Sequence, residues 1–143
     1  MTIDDIIAQV GNLGGVLTLR PGPGDGSPEV SWGDVFFYYA PDGVVPKAQP
    51  FATIVTKDYP DDTVSGLDRP GVFRVNVDAK AKTMDEDVDY RGADVVFPHP
   101  LYGRMGWLSV VNPGPRTVER LGELLRDAHG RARARYERRA AKR

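Results

Sequence analysis

Imidazole chemistry has two possible seats in this chain of 143 residues, His99 and His129, and thiol chemistry has none, because there is no cysteine. His99 stands between Pro98 and Pro100, which restrict the backbone on both sides, and a loop leading into a buried strand can hold such a side chain in a fixed direction. Arg74 and Asn76 alternate within VFRVNV. On a strand they share one face about 7 Å apart, a guanidinium fork beside an amide, suited to holding a carboxylate or phosphate. Together with Lys57 and Tyr102 these residues define a candidate ligand-binding cleft, His99, Arg74, Asn76, Tyr102 and Lys57, with His99 as general base or ligand-binding group. The plainer alternative makes His99 a loop cap and leaves Arg74 and Asn76 on an exposed sheet face pairing with acidic loops. For His129 the reading is a packed or half-exposed helix residue.

Other chemistries fail on spacing. The absence of cysteine removes disulfides, thiol catalysis, iron-sulfur ligation and cysteine-rich zinc sites. Asp85, Asp87 and Asp89 echo the start of a calcium loop, but Tyr90 stands where glycine is needed and Val96 where a bidentate glutamate is needed. Gly22, Gly24 and Gly26 resemble a phosphate-cradling loop by composition only, since Pro21 and Pro23 remove backbone donors and no Gly-Lys-Ser/Thr follows. No Gly-x-Ser-x-Gly elbow surrounds Ser27, Ser31, Ser65 or Ser109. No metal site and no cofactor are expected. Among catalytic readings a metal-independent hydrolase with His99 as base is the one left, and a serine or carboxylate in hydrogen-bond reach of His99 would favour it.

Charge is unevenly spread. Residues 126–143 hold eight Arg/Lys against Asp127 and Glu137, a local +6, so the remaining residues carry −7 within a total of −1. A nucleic-acid-binding module using Arg131, Arg135, Arg138 and Lys142 is therefore the alternative to the cleft. Against it stand an acidic body that repels phosphate and the favourable placement of cations at a helix C-terminus.

These side chains need elements to position them. Residues 95–115, VVFPHPLYGRMGWLSVVNPGP, hold the clearest strand, 106–111, and hand it to the clearest long helix. In that helix Thr117 is the expected N-cap, and Val118, Leu121, Leu125, Ala128, Ala132 and Tyr136 repeat on one face. Past Tyr136 the apolar face ends, so residues 137–143 are expected to fray as a basic tail behind a single domain of residues 1–136. At the other end Thr2 and Asp5 have capping-box spacing ahead of Ile3, Ile6, Ile7 and Val10. Strands are expected at 16–20, 29–32, 35–40, 51–57 and 72–77, with the aromatic strand VFFYYA pairing antiparallel to the next. In VFRVNV, Phe73, Val75 and Val77 face the core while Arg74 and Asn76 share a wet or functional face. Residues 78–94 read as polar loop with at most a short helix. The expected fold class is α+β: an antiparallel sheet of about five to six strands, with an N-terminal helix and a long C-terminal helix packed on it. The aromatics Trp32, Phe36, Phe37, Tyr38, Tyr39, Tyr102 and Trp107 divide between core and a ligand- or base-stacking surface.

A hydrophobic fraction of 41% with 27% charged residues is ordinary for a globular domain, and no apolar run approaches the ~20 residues of a membrane span. The N-terminus carries aspartates where an export signal carries lysine or arginine, so a cytoplasmic location is expected.

The segments PEVSWGDVFFYY, PFATIVTKDYP, LDRPGVFRVNV and HPLYGRMGWLSVVNPG, in that order before a Leu-rich helix, resemble a bacterial-type family of unknown function. More distantly, the order of elements resembles MmcQ/YjbR-like proteins, in which a Glu-Val-x-Trp-Gly segment also precedes aromatic hairpin strands. The resemblance implies a compact α+β domain with an antiparallel sheet and flanking helices, and no established activity. The reading is of an uncharacterised domain that binds a small molecule or a protein partner, has no membrane partner, and catalyses nothing recognisable.

Overall fold

Thr2 opens the first helix with a reciprocal cap: its hydroxyl accepts from the Asp5 amide at 3.1 Å while the Asp5 carboxylate accepts from the Thr2 amide at 2.8 Å. Helix α1 (Ile3–Gly11) follows and buries Ile6 and Val10. The computed structural model describes residues 1–82 and 87–142. Its other elements are β1 (Val16–Leu19), β2 (Val35–Tyr39), β3 (Ala52–Val55), β4 (Arg74–Asp78), β5 (Val96–Pro98), β6 (Trp107–Val111) and α2 (Val118–Ala141).

The strands form one antiparallel sheet in the order β1-β2-β3-β4-β6-β5. The fold is α+β, with a helix at each end of the chain. One sheet face, carrying Val35, Phe37, Ala52, Ile54, Val75, Val77 and Leu108, packs on Ile6 and Val10 of α1 and on Leu121, Leu124, Leu125 and Ala128 of α2. Each of those three leucines contributes roughly 2 kcal/mol by leaving water. Within α2, Val118 is exposed, and Leu124 and His129 are buried instead. His129 lies edge-on to Tyr39 and Phe51, and its Nε2 bonds the Gly14 carbonyl at 2.7 Å, which ties α2 to the turn after α1.

Two local expectations are corrected. Residues 29–32 are not a strand: Glu29–Ser31 is a 3-10 turn, with Ser31 and Trp32 amides bonded back to the Pro28 and Glu29 carbonyls, because proline at 28 starts a turn. Of the two readings of the polar face of β4, wet or functional, the wet one does not hold: all five residues of β4 are buried. Strand β5, three residues ending in Pro98, was not anticipated.

The start of α2 is held from outside the helix. Thr117 makes no side-chain cap of its own; the Asp94 carboxylate accepts from the Gly114, Arg116 and Thr117 amides at 2.8, 3.0 and 3.0 Å and from the Thr117 hydroxyl at 2.6 Å. That carboxylate is held below the usual range, first by the Thr117 hydroxyl and then by the amides. At its far end α2 continues to Ala141, with residues 137–142 exposed. Of the segment 78–94, part of the calcium-like echo, Asp85, lies outside the described residues.

Candidate functional site

The second sheet face carries a polar row where a core would ordinarily be apolar. Cross-strand pairing places Thr53, Asn76, Ser109 and Phe97 side by side across β3, β4, β6 and β5. Asn76 takes part through both ends of its amide: Nδ2 donates to the Thr53 hydroxyl at 3.1 Å, and Oδ1 accepts from the Ser109 hydroxyl at 2.7 Å and from Arg74 Nε at 2.8 Å.

Arg74, two residues before Asn76 on the same face of β4, is the centre of the polar network and is only 1% exposed. The loop between β3 and β4 folds over it and supplies Asp62 and Ser65, both buried. Nη1 donates to Asp62 Oδ1 at 3.1 Å and to the Ser65 hydroxyl at 3.0 Å, and Nη2 donates to the other Asp62 oxygen. The result is a forked, charge-assisted pair inside the protein. The guanidinium's remaining donor faces His99 Nε2, 3.3 Å away. A buried guanidinium needs a carboxylate and hydrogen bonds to offset its lost hydration, and this one has the Asp62 carboxylate, with four of its five N–H groups bonded to Asn76, Asp62 and Ser65.

His99 is buried beside it and is surrounded by donors. Its Nδ1 accepts from the Leu101 and Tyr102 amides at 3.0 and 3.1 Å, so the ring acts as a side-chain cap for the turn that follows. With Nδ1 committed as acceptor, the ring proton belongs on Nε2, and a second proton has no acceptor to meet. Burial first, and then the Arg74 charge, lower the imidazole pKa to about 4, with Asp62 opposing. Among the described residues no serine or carboxylate oxygen is a hydrogen-bond partner of His99, and its lone pair is spent on the backbone.

A model of a family of unknown function, DUF6194, matches residues 1–141. The chain belongs to DUF6194. No curated protein and no solved structure matches it.

In this DUF6194 domain the expected site residues separate into three groups. Arg74, Asn76 and His99 form one buried network. Tyr102 leans on that network from outside, its ring 4.8 Å from the His99 ring, while remaining 46% exposed. Lys57 belongs elsewhere: its Nζ lies 2.9 Å from the fully buried carboxylate of Asp34, which also accepts from the Thr56 amide and hydroxyl and from the Tyr59 hydroxyl. Desolvation first, then the bond to Asp34, raises the Tyr59 pKa, so the phenol stays protonated.

The cationic group of the DUF6194 domain is also divided. Arg131 Nη2 donates to the Asp78 carbonyl at 2.7 Å and pins the end of β4, Arg135 is half-buried, and Arg138 and Lys142 are exposed. Among the described residues there is no cluster of metal-ligating side chains and no helix long and apolar enough to cross a membrane.

Sequence reasoning missed what the network supports. After His99 the chain makes a tight knot: the Gly103 amide returns to the His99 carbonyl at 2.9 Å, Gly106 to Gly103 at 3.0 Å, and Trp107 to Tyr102 at 3.2 Å. Gly106 has φ +92, and a Cβ there would lie 2.7 Å from the Lys80 Cα, so only glycine fits. On the outside of this knot Leu101, Tyr102 and Met105 are exposed, Met105 at 66%. The signal was present in the sequence as Leu-Tyr-x-x-Met between Pro100 and Trp107, but apolar residues near a strand read equally well as core.

Proposed function

We propose that this domain is a non-catalytic binding module whose contact surface is the 99–106 loop and whose partner is a protein. The observation that carries the reading is the union of two opposites in one short segment. The backbone is fastened to a buried ionic network through His99, while Leu101, Tyr102 and Met105 stand in water. Large apolar side chains grouped in the open mark contact sites, and tyrosine, methionine and arginine are enriched in protein interfaces. Arg104 is exposed between Tyr102 and Met105. A loop already held in its bound shape also loses little conformational entropy on association. This reading keeps His99, Arg74, Asn76 and Tyr102 in one site and makes the first three its foundation rather than its ligand contacts. Engagement of four of the five Arg74 donors and of His99 Nδ1 by the protein itself, with Arg74 buried, favours it over a small molecule or a substrate at those atoms.

The test is site-specific photo-crosslinking in the cells that carry this chain. A crosslinking residue at Met105 yields a discrete protein adduct, lost when Leu101→Glu is added, whereas one at the equally exposed Val44 yields none. Identical products from both positions, or no product from Met105, would sink the proposal.

A second reading, nucleic-acid binding by α2, draws support from the exposed cationic turns beyond Tyr136. Its test is duplex DNA binding across a salt series. Arg138→Ala with Lys142→Ala weakens binding and flattens the salt slope if the helix is the contact. Unchanged binding or none would exclude it.

A further inference from the structure

A cleft of about 700 Å³ opens at the end of the sheet where the chain leaves β1, β3 and β6 and enters β4, well within the size range of small-molecule sites. His99, Arg74 and the 99–106 loop do not line it. Ile3, Val72 and Phe73 give it an apolar lining, and Arg20, Arg69 and Asp4 are its charged lining residues.

The two arginines are unequally engaged. Arg69 is fixed as a fork, with Nε donating to the Gly66 carbonyl at 2.6 Å and Nη2 to the Ser65 carbonyl at 3.0 Å. Nη1 is outside these two bonds, so the group is pre-oriented with donors in hand. Arg20 has a loose partner, Asp4 at 3.9 Å, and both side chains are more than half exposed. An exposed pair at that distance is weak and readily exchanged for a better anion. Asn112 completes the rim. Its side chain is spent on the Phe73 amide and the Gly71 carbonyl, which fixes the backbone at the cleft edge. In a body whose net charge is −7 outside residues 126–143, two arginines lining one partly apolar cleft run against the general field.

We propose that this cleft binds a small organic anion, a carboxylate or phosphate carried on an apolar body. The acid group sits between Arg20 and Arg69, and the apolar part lies on Phe73, Val72 and Ile3. Arg20 is the member that changes partner, releasing Asp4 when the ligand enters, and Asp4 is the internal competitor. A neutral molecule of the same shape gains the apolar lining but not the arginines, and inorganic phosphate gains the arginines but not the apolar lining.

The test uses the whole chain and three probes, phenyl phosphate, inorganic phosphate and benzyl alcohol, titrated while backbone amide resonances are followed. Phenyl phosphate produces saturable shifts at Gly71, Phe73 and Asn112, and binds more tightly than inorganic phosphate or benzyl alcohol. Arg20→Ala weakens phenyl phosphate about tenfold, the scale of one lost charge-assisted bond. Asp4→Asn tightens it about threefold, because it removes the competing carboxylate. Arg20 and Asp4 are exposed, so neither variant threatens folding, and Lys47→Ala, at an exposed lysine outside the cleft, leaves the affinity unchanged where a general charge effect would lower it. Shifts that fail to saturate, affinity equal for phenyl phosphate and benzyl alcohol, or affinity indifferent to both variants would overturn the proposal. Loss of the partner adduct at Met105 would leave it untouched, since the two surfaces share no residue.

Discussion

Arg74 and Asp62 face each other as a two-point ion pair whose side chains are only 1% and 9% exposed. Breaking such a pair by removing one partner leaves a buried charge uncompensated. Asp62→Ala is therefore expected to cost about 3–5 kcal/mol in urea denaturation, and Arg74→Met with Asp62→Leu together less than the sum of the single changes. A double-mutant cycle over these substitutions checks the coupling; additive losses would mean the two side chains do not act as a pair.

His99 makes the protein acid-sensitive in a defined window. Its pKa is about 4 in the folded state against an ordinary 6.5, so the unfolded chain takes up the proton first as pH falls. The stability of the neutral ring is fully present above pH 6.5, and it is lost progressively down to about pH 4, by about 3 kcal/mol in all. Denaturation free energies measured across this window for wild type and His99→Gln should differ by a term that shrinks as pH falls. A constant difference would place the histidine's titration outside the folding equilibrium.

Gly106→Ala strains a left-handed backbone position and drives Cβ against the Lys80 backbone. The expected loss is about 2 kcal/mol, seen as a lower urea midpoint with unchanged slope. Gly43→Ala, also at positive φ but with open space around it, is the control that separates the clash from the φ cost.

Asp94→Ala removes the acceptor of four bonds from the segment that leads into α2, Gly114 to Thr117, and thermal unfolding is expected to fall to a lower midpoint. Because the carboxylate pKa is held below its ordinary value, the cap's contribution is present at neutral pH and fades as pH drops through the folded-state pKa. A midpoint gap between wild type and Asp94→Ala that stays the same on acidification would contradict the cap.

The elements whose cause is local were legible in the sequence. The Thr2–Asp5 cap, the alternation of VFRVNV and the apolar face of α2 each follow from residues a turn or a strand apart. Alternation correctly put Arg74 and Asn76 on the face opposite Val75, but what covers that face comes from the loop bearing Asp62 and Ser65. No period in the sequence announces that a loop will fold over a strand. The same distance hid Asp94, which lies 23 residues before the Thr117 it caps. Strand β5 escaped notice because three residues ending in proline show no alternation, and residues 29–32 were misread because Val30 and Trp32 suggest a strand until Pro28 is given its weight. Of the site, the chemistry-bearing residues were visible, and their office was not. His99 was singled out as a base or a loop cap, and the loop-cap geometry is the one its ring nitrogen makes.

Whether the buried network holds the 99–106 loop is read from amide hydrogen exchange at Leu101 and Tyr102. In wild type both amides, bonded to His99 Nδ1, exchange slowly. In His99→Ala they exchange at rates typical of open loops, while Val75 and Val110 in the sheet keep their protection. Leu101 and Tyr102 amides that stay protected without the imidazole, or that already exchange freely in wild type, would show that His99 does not hold the loop.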